Sequence, residues 1–158
     1  VTETGKACPH SVSVKGWQRA GALIPLLRWA AAIAPALATP SALFACPSTT
    51  EAPSLRSIQT LRPLSAALEL PIDVSVQKGD EASLAALLRK ASGVALVAWS
   101  HHGLPALARA YIEGGEAVHQ LPGAWPAGRF DLVWVVDGPV GHRRFREVSQ
   151  ALMGSDRS

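Results

Sequence analysis

Two runs in this chain, Val94-Ala95-Leu96-Val97-Ala98-Trp99 and Leu132-Val133-Trp134-Val135-Val136, have no charged side chain and almost no polar atom. Successive strand residues face opposite sides of a sheet, so a strand written this way must be covered on both faces. Cover on both faces comes from helices, and the intervening sequence supplies them. Apolar residues recur at three- and four-residue steps through Trp17, Ala20, Leu23, Ile24, Leu27 and Ala31. They do so again through Ile58, Leu61, Leu64 and Leu68, through Leu84, Leu87 and Leu88, and through Leu104, Leu107, Ala108 and Ile112. Strand and helix alternate, which predicts an α/β fold: a three-layer sandwich with a mostly parallel central sheet.

Punctuation sets the boundaries. Residues 1–12 read as irregular. Ser13 is placed to cap the first helix near Gly16, Pro25 to kink it, and Pro35 and Pro40 to end it. Ala42 to Cys46 reads as a buried strand between prolines. A polar loop from Pro47 to Ser54 comes next, then a helix over 55–68 with Ser54 as its cap. Ile72 to Val76 alternates as a short strand. Lys78-Gly79-Asp80 is a turn, and Asp80 caps a helix that ends near Ser92-Gly93. Pro105 suits the first turn of a helix that Gly114-Gly115 stop. Residues 113–130 read as a Gly/Pro-rich loop. The segment Phe145 to Met153 fits a helix and an edge strand equally.

The 158 residues suit one domain, and their 48% hydrophobic content suits an ordered core. The net charge of +3 is scattered among acids and bases, with no basic stripe of the kind a nucleic acid needs. The densest run, His142-Arg143-Arg144-Phe145-Arg146, reads as a solvated edge. The apolar stretch Ala22 to Ala38 holds Arg28, Pro25 and Pro35. It falls short of the ~20 apolar residues a membrane span needs, so no membrane partner is expected. Cys8 and Cys46 make no disulfide framework, which points to a reducing compartment such as the cytoplasm. The chain does not open on Met, which points to a segment removed upstream. Oligomeric state is not readable.

In parallel sheets ligands bind beyond the carboxyl ends of the strands. Arg56 follows the strand ending at Cys46, and His101 follows the strand ending at Trp99. A guanidinium near a helix start suits phosphate oxygens, and an imidazole can donate to one. The alternatives are a surface arginine in an ordinary ion pair and a satisfied core histidine. Ser48, with Thr49 and Thr50, has a hydroxyl for the same pocket. Asp80 and Glu81 are candidate general acids or plain capping residues. His101 and His102 are adjacent and have no carboxylates around them, so neither a metal nor any other cofactor is expected. Trp125 admits a lid aromatic, a partner contact or an ordinary packed side chain.

Three segments in order resemble the histidine phosphatase superfamily, the phosphoglycerate mutase-like fold. Ser13-Val14-Lys15-Gly16-Trp17-Gln18-Arg19-Ala20 is similar to the L-S-x-x-G-x-x-R-A that opens that family's first helix. Ser54-Leu55-Arg56-Ser57-Ile58-Gln59-Thr60-Leu61 is similar to its R-A-x-Q-T-A segment. Trp99-Ser100-His101-His102 looks like its second-histidine segment. Together they cover about residues 13–137. The resemblance implies that Arg56 is the second phosphate-clamping arginine, His101 the second histidine and Glu81 the nearest candidate acid. It implies a phosphorylated small molecule or phosphate ion as ligand, and a reaction through a phosphohistidine.

The family's nucleophile lies in an R-H-G element on the first strand, and no Arg-His pair occurs in these 158 residues. His10 lies between Pro9 and Ser11 with no strand before it, and is not that nucleophile. Two explanations fit: a trimmed N-terminus or a degenerate family member. Either way these residues should bind an anion without turning over a phosphate ester. A non-catalytic interaction domain on the same fold is the alternative.

Overall fold

The computed structural model describes residues 1–51, 53–154 and 156. The chain divides into two compact units, Val1–Gln77 with Ser92–Trp99, and Lys78–Ala91 with Ser100–Ser158. Among the described residues there are six helices, a three-stranded parallel sheet and a two-stranded antiparallel one, a mixed α/β content as expected.

The first unit begins with α1 (Val14–Arg28). Ser13 caps it as expected: its hydroxyl accepts from the Gly16 amide at 3.1 Å. Pro25 has no N–H for the Gly21 carbonyl, yet α1 runs on through it. The break comes at Trp29, beyond which lies the short α2 (Ala30–Ile33). Strand β1 (Ala42–Ala45) lies at the centre of the sheet, flanked by β2 (Ile72–Asp73) and β3 (Ala95–Ala98) in the order β2-β1-β3. Both pairings are parallel. Leu43 and Ala45 of β1 are each 1% exposed, which is why this strand tolerates no polar residue. Helix α3 (Arg56–Leu68) buries Leu61 and Leu64. Each buried leucine of this kind is worth roughly 2–3 kcal/mol relative to exposure.

Three expectations fail in this unit. Ser54 does not cap α3; Leu55 holds that position and makes no side-chain cap. The strand expected over 72–76 covers only Ile72–Asp73. There the Asp73 carboxylate accepts from the Ser75 amide and turns the chain away. Strand β3 was expected inside the sheet, but among the described residues it pairs with β1 alone, and its four residues are half-buried. The Gly93 turn that feeds β3 is tight. With φ +80, a Cβ there would sit 2.5 Å from the Ser41 hydroxyl oxygen, the same oxygen that accepts from the Val94 amide.

The second unit contains α4 (Glu81–Lys90), capped by Asp80 as expected: its carboxylate accepts from the Ser83 amide. Helix α5 (Leu104–Ile112) has Pro105 in its first turn, as expected, and ends at Glu113 in the left-handed region just before Gly114. The two helices pack together, and Arg89 ties them by donating to the Ala110 carbonyl and pairing with Glu113. The stretch expected to be loop holds a further short helix, α6 (Glu116–Gln120). Its Ala117 joins Ala108, Ile112 and Leu121 in a small core.

The apolar run at 132–136 is a strand, β4 (Leu132–Asp137), but not a parallel one. It pairs antiparallel with β5 (Arg144–Ser149), which resolves the ambiguous last segment as a strand. Gly138 (φ +97) begins the connecting turn, where a Cβ would meet the His142 carbonyl oxygen at 2.7 Å. The basic run is a solvated edge, as expected: His142, Arg144 and Arg146 are exposed. Arg144 and Arg146 both pair with Asp137, and the Arg143 guanidinium lies over the Tyr111 ring at 3.9 Å. Trp125 is a packed side chain: its ring stacks near Trp134, and its indole N–H donates to the Arg129 carbonyl.

Candidate functional site

Parallel pairing in register, from Ala42 with Ala95 to Ala45 with Ala98, brings the carboxyl ends of β1 and β3 to one edge of the first unit's sheet. The Cys46 amide extends the ladder by donating to the Ala98 carbonyl at 2.9 Å. From that edge one connection runs through Ser48 to Arg56, and the other runs through Ser100 to His101. The two residues belong to different units, and each has its own surroundings.

Arg56 is the first residue of α3 and is exposed. Its guanidinium is engaged by backbone: Nη2 donates to the Pro9 carbonyl at 2.7 Å and Nε to the Ser11 carbonyl at 3.4 Å. One turn further along α3, Gln59 is 5% exposed and holds the same segment from inside. Its carbonyl oxygen accepts from the Val12 amide at 2.9 Å, and its amide nitrogen donates to the Ser11 hydroxyl at 3.1 Å. The Leu55 amide donates to the His10 carbonyl at 2.9 Å. Sequence reasoning missed this role for Gln59. A glutamine on the otherwise apolar face of a helix was the available signal, because a buried amide needs partners.

Cys8 sits at the start of this tethered turn, half-buried and not in a disulfide. Its thiol lies below the ordinary cysteine range, mainly because the Ser11 hydroxyl and then the His10 amide donate to it. His10 lies in a turn and is exposed. Ser48 is exposed in the irregular segment after β1. Cys46 is buried among the apolar residues that surround β1, as a small hydrophobe.

His101 is exposed in the turn before α5, with the Ser100 carbonyl closing that turn onto the Gly103 and Leu104 amides. Its ring lies 3.9 Å from that of His102, tilted by 40°. Partial loss of water around the ring holds its pKa below the ordinary histidine value, and the nearby positive charges of His102 and Lys78 add to this. Glu81 lies in the first turn of α4, where its carboxylate accepts from the Gly79 amide at 3.3 Å. Among the described residues no three His, Cys, Asp or Glu side chains gather to hold a metal, and no helix is long and apolar enough to cross a membrane.

The most strongly shifted carboxylate lies elsewhere and was not anticipated. Asp131, 4% exposed, takes both Nε and Nη2 of Arg129 at 2.8 Å and a third bond from the Ser149 hydroxyl at 3.1 Å. These donors hold its carboxyl far below the usual carboxylate range, the Arg129 fork first among them. With its acceptors filled, Asp131 fixes the start of β4 to the end of β5 and is a structural group. Comparisons with protein-family models, curated proteins and solved structures find no match for this chain.

Proposed function

We propose that this chain is a phosphate-binding domain of the histidine phosphatase type, with a phosphoglycerate mutase-like, three-layer α/β architecture. Its ligand is a phosphorylated small molecule or the phosphate ion itself, in a reducing compartment such as the cytoplasm. Arg56 and Ser48 are the candidate anion contacts of the first unit; His101, a candidate contact, and Glu81, the candidate acid, belong to the second. What supports the reading most is the in-register parallel pairing of β1 and β3. It brings together the ends of the two strands whose connections carry Arg56 and His101, at the edge where such sheets bind ligands. The Ser13 cap and the start of α3 at Arg56 add support, since both fall on segments that carry the family resemblance.

The domain binds and does not turn over. No Arg-His pair occurs in these residues, so the phosphohistidine nucleophile that the family resemblance implies is not among them. Orthovanadate binding to the 158-residue chain, together with p-nitrophenyl phosphate hydrolysis, tests this reading. Saturable binding, weakened at least about tenfold in Arg56→Ala and accompanied by no hydrolysis, is the expected result. Absence of binding removes the anion site.

One observation favours a second reading, an interaction domain on the same scaffold. Arg56 donates to two backbone carbonyls, so its guanidinium serves the structure.

A further inference from the structure

Three consecutive carbonyl groups, those of Pro9, His10 and Ser11, converge on the start of α3. Pro9 accepts from Arg56 Nη2 at 2.7 Å, His10 from the Leu55 amide at 2.9 Å, and Ser11 from Arg56 Nε at 3.4 Å. A guanidinium fork and a backbone amide at the mouth of a 13-residue helix are the donors an oxyanion would use. Here three carbonyl oxygens, each with only a partial negative charge, occupy them. The turn that supplies these oxygens is held by hydrogen bonds: Pro9 and His10 are exposed, while Ser11 is buried and Gln59 binds both its hydroxyl and the Val12 amide.

We propose that the turn from Cys8 to Val12 is an autoinhibitory plug, a piece of backbone that imitates an anion at Arg56 and must leave for phosphate to bind. The inference rests on the assignment of Arg56 to an anion under the proposed function. The energetic logic is an exchange. Neutral carbonyl acceptors hold the guanidinium through bonds of modest net strength, whereas a phosphate dianion forms charge-assisted, bidentate ones. A ligand with the stronger acceptors displaces the plug. Its apparent affinity is lowered in proportion to the fraction of molecules in which the plug is closed. Gln59 sets that fraction, because it grips the turn at Val12 and Ser11 without using the donors that phosphate would take.

The test is titration of orthophosphate into the full 158-residue chain and its Gln59→Ala and Ser11→Ala variants, with hydrogen exchange at the Val12 amide read by NMR. The plug predicts that saturating phosphate speeds Val12 exchange in the unmodified chain by about tenfold or more, as that amide loses Gln59. It also predicts that each variant binds phosphate up to about tenfold more tightly. Ser11→Ala and the unmodified chain decide the matter if Gln59→Ala does not fold. Phosphate binding with unchanged Val12 exchange and equal affinities overturns the plug and leaves the anion site standing. No binding by the unmodified chain or by any folded variant overturns the anion site, and the plug with it.

Discussion

The sheet of β1, β2 and β3 and the hairpin of β4 and β5 are written in nearly the same residues and are held together differently. Strand β3 pairs parallel with β1, a partner far away in sequence, and that central strand is almost fully buried. Strand β4 pairs with the next strand in the chain. Polar side chains join the hairpin: Asp137 to Arg144 and Arg146, Trp134 to Glu147, and Asp131 to Arg129 and Ser149. Apolar composition reports that a strand is covered; it says nothing of direction. Direction is set by the segment that leaves the strand. After β3 comes Pro105 and a helix, and after β4 comes a turn that Gly138 makes possible.

The contrast predicts different sensitivities. The largest effect falls in the first unit. Leu64 has no exposed surface, and Leu64→Ala should cost about 3 kcal/mol in denaturant unfolding, through lost burial and the cavity left behind. A cost below about 1 kcal/mol would break the picture of a core built around α3 and β1. Next is the hairpin's polar fastening. Asp131→Asn keeps the shape but removes the charge that Arg129 forks onto, and should cost about 2 kcal/mol. An unchanged midpoint would show that the hairpin is held by its aromatic packing alone.

Acid sharpens the same comparison. Asp131's folded pKa is depressed, so its contribution is fully present above the unfolded carboxyl value of 3.8 and is lost as pH falls below it. Amide signals of β5 should therefore weaken below about pH 4 before those of β1 do. Simultaneous loss would argue against a local fastening. His101 should titrate below the ordinary 6.5 in an NMR titration of its ring protons, because loss of water around the ring, then the neighbouring His102 and Lys78, disfavour its charged form. A midpoint at or above that value would contradict that lowering. The smallest effect belongs to Arg144, whose side chain is 76% exposed. Arg144→Ala should change stability by less than about 0.5 kcal/mol.

Local chemistry was legible in the sequence wherever a few neighbouring residues decide the outcome. Ser13 and Asp80 cap their helices as expected, and Pro105 opens α5. The residues from Ala42 to Ala45 form a buried strand for the reason their composition implied. Legibility failed where partners are remote. Arg56 finds the carbonyls of Pro9 and Ser11 at separations of 47 and 45 positions, and no spacing rule announces such a contact. The same distance hid Gln59, which reads as one polar residue on a helix until Ser11 and Val12 are beside it. The short α6 was concealed by the Gly/Pro-rich composition around it, although Ala117 and Leu121 carry its apolar contacts.

The central claim is that the Arg56 guanidinium exchanges backbone carbonyls for a phosphate ion. Its own Nε–H signal, followed by NMR in the arginine-labelled chain as orthophosphate is added, reports that exchange directly. The account predicts a saturable shift of the Arg56 signal with the same midpoint as phosphate binding, absent in Arg56→Ala. A signal that stays in place while phosphate reaches millimolar concentration, with Arg56 still bound to Pro9 and Ser11, would contradict it.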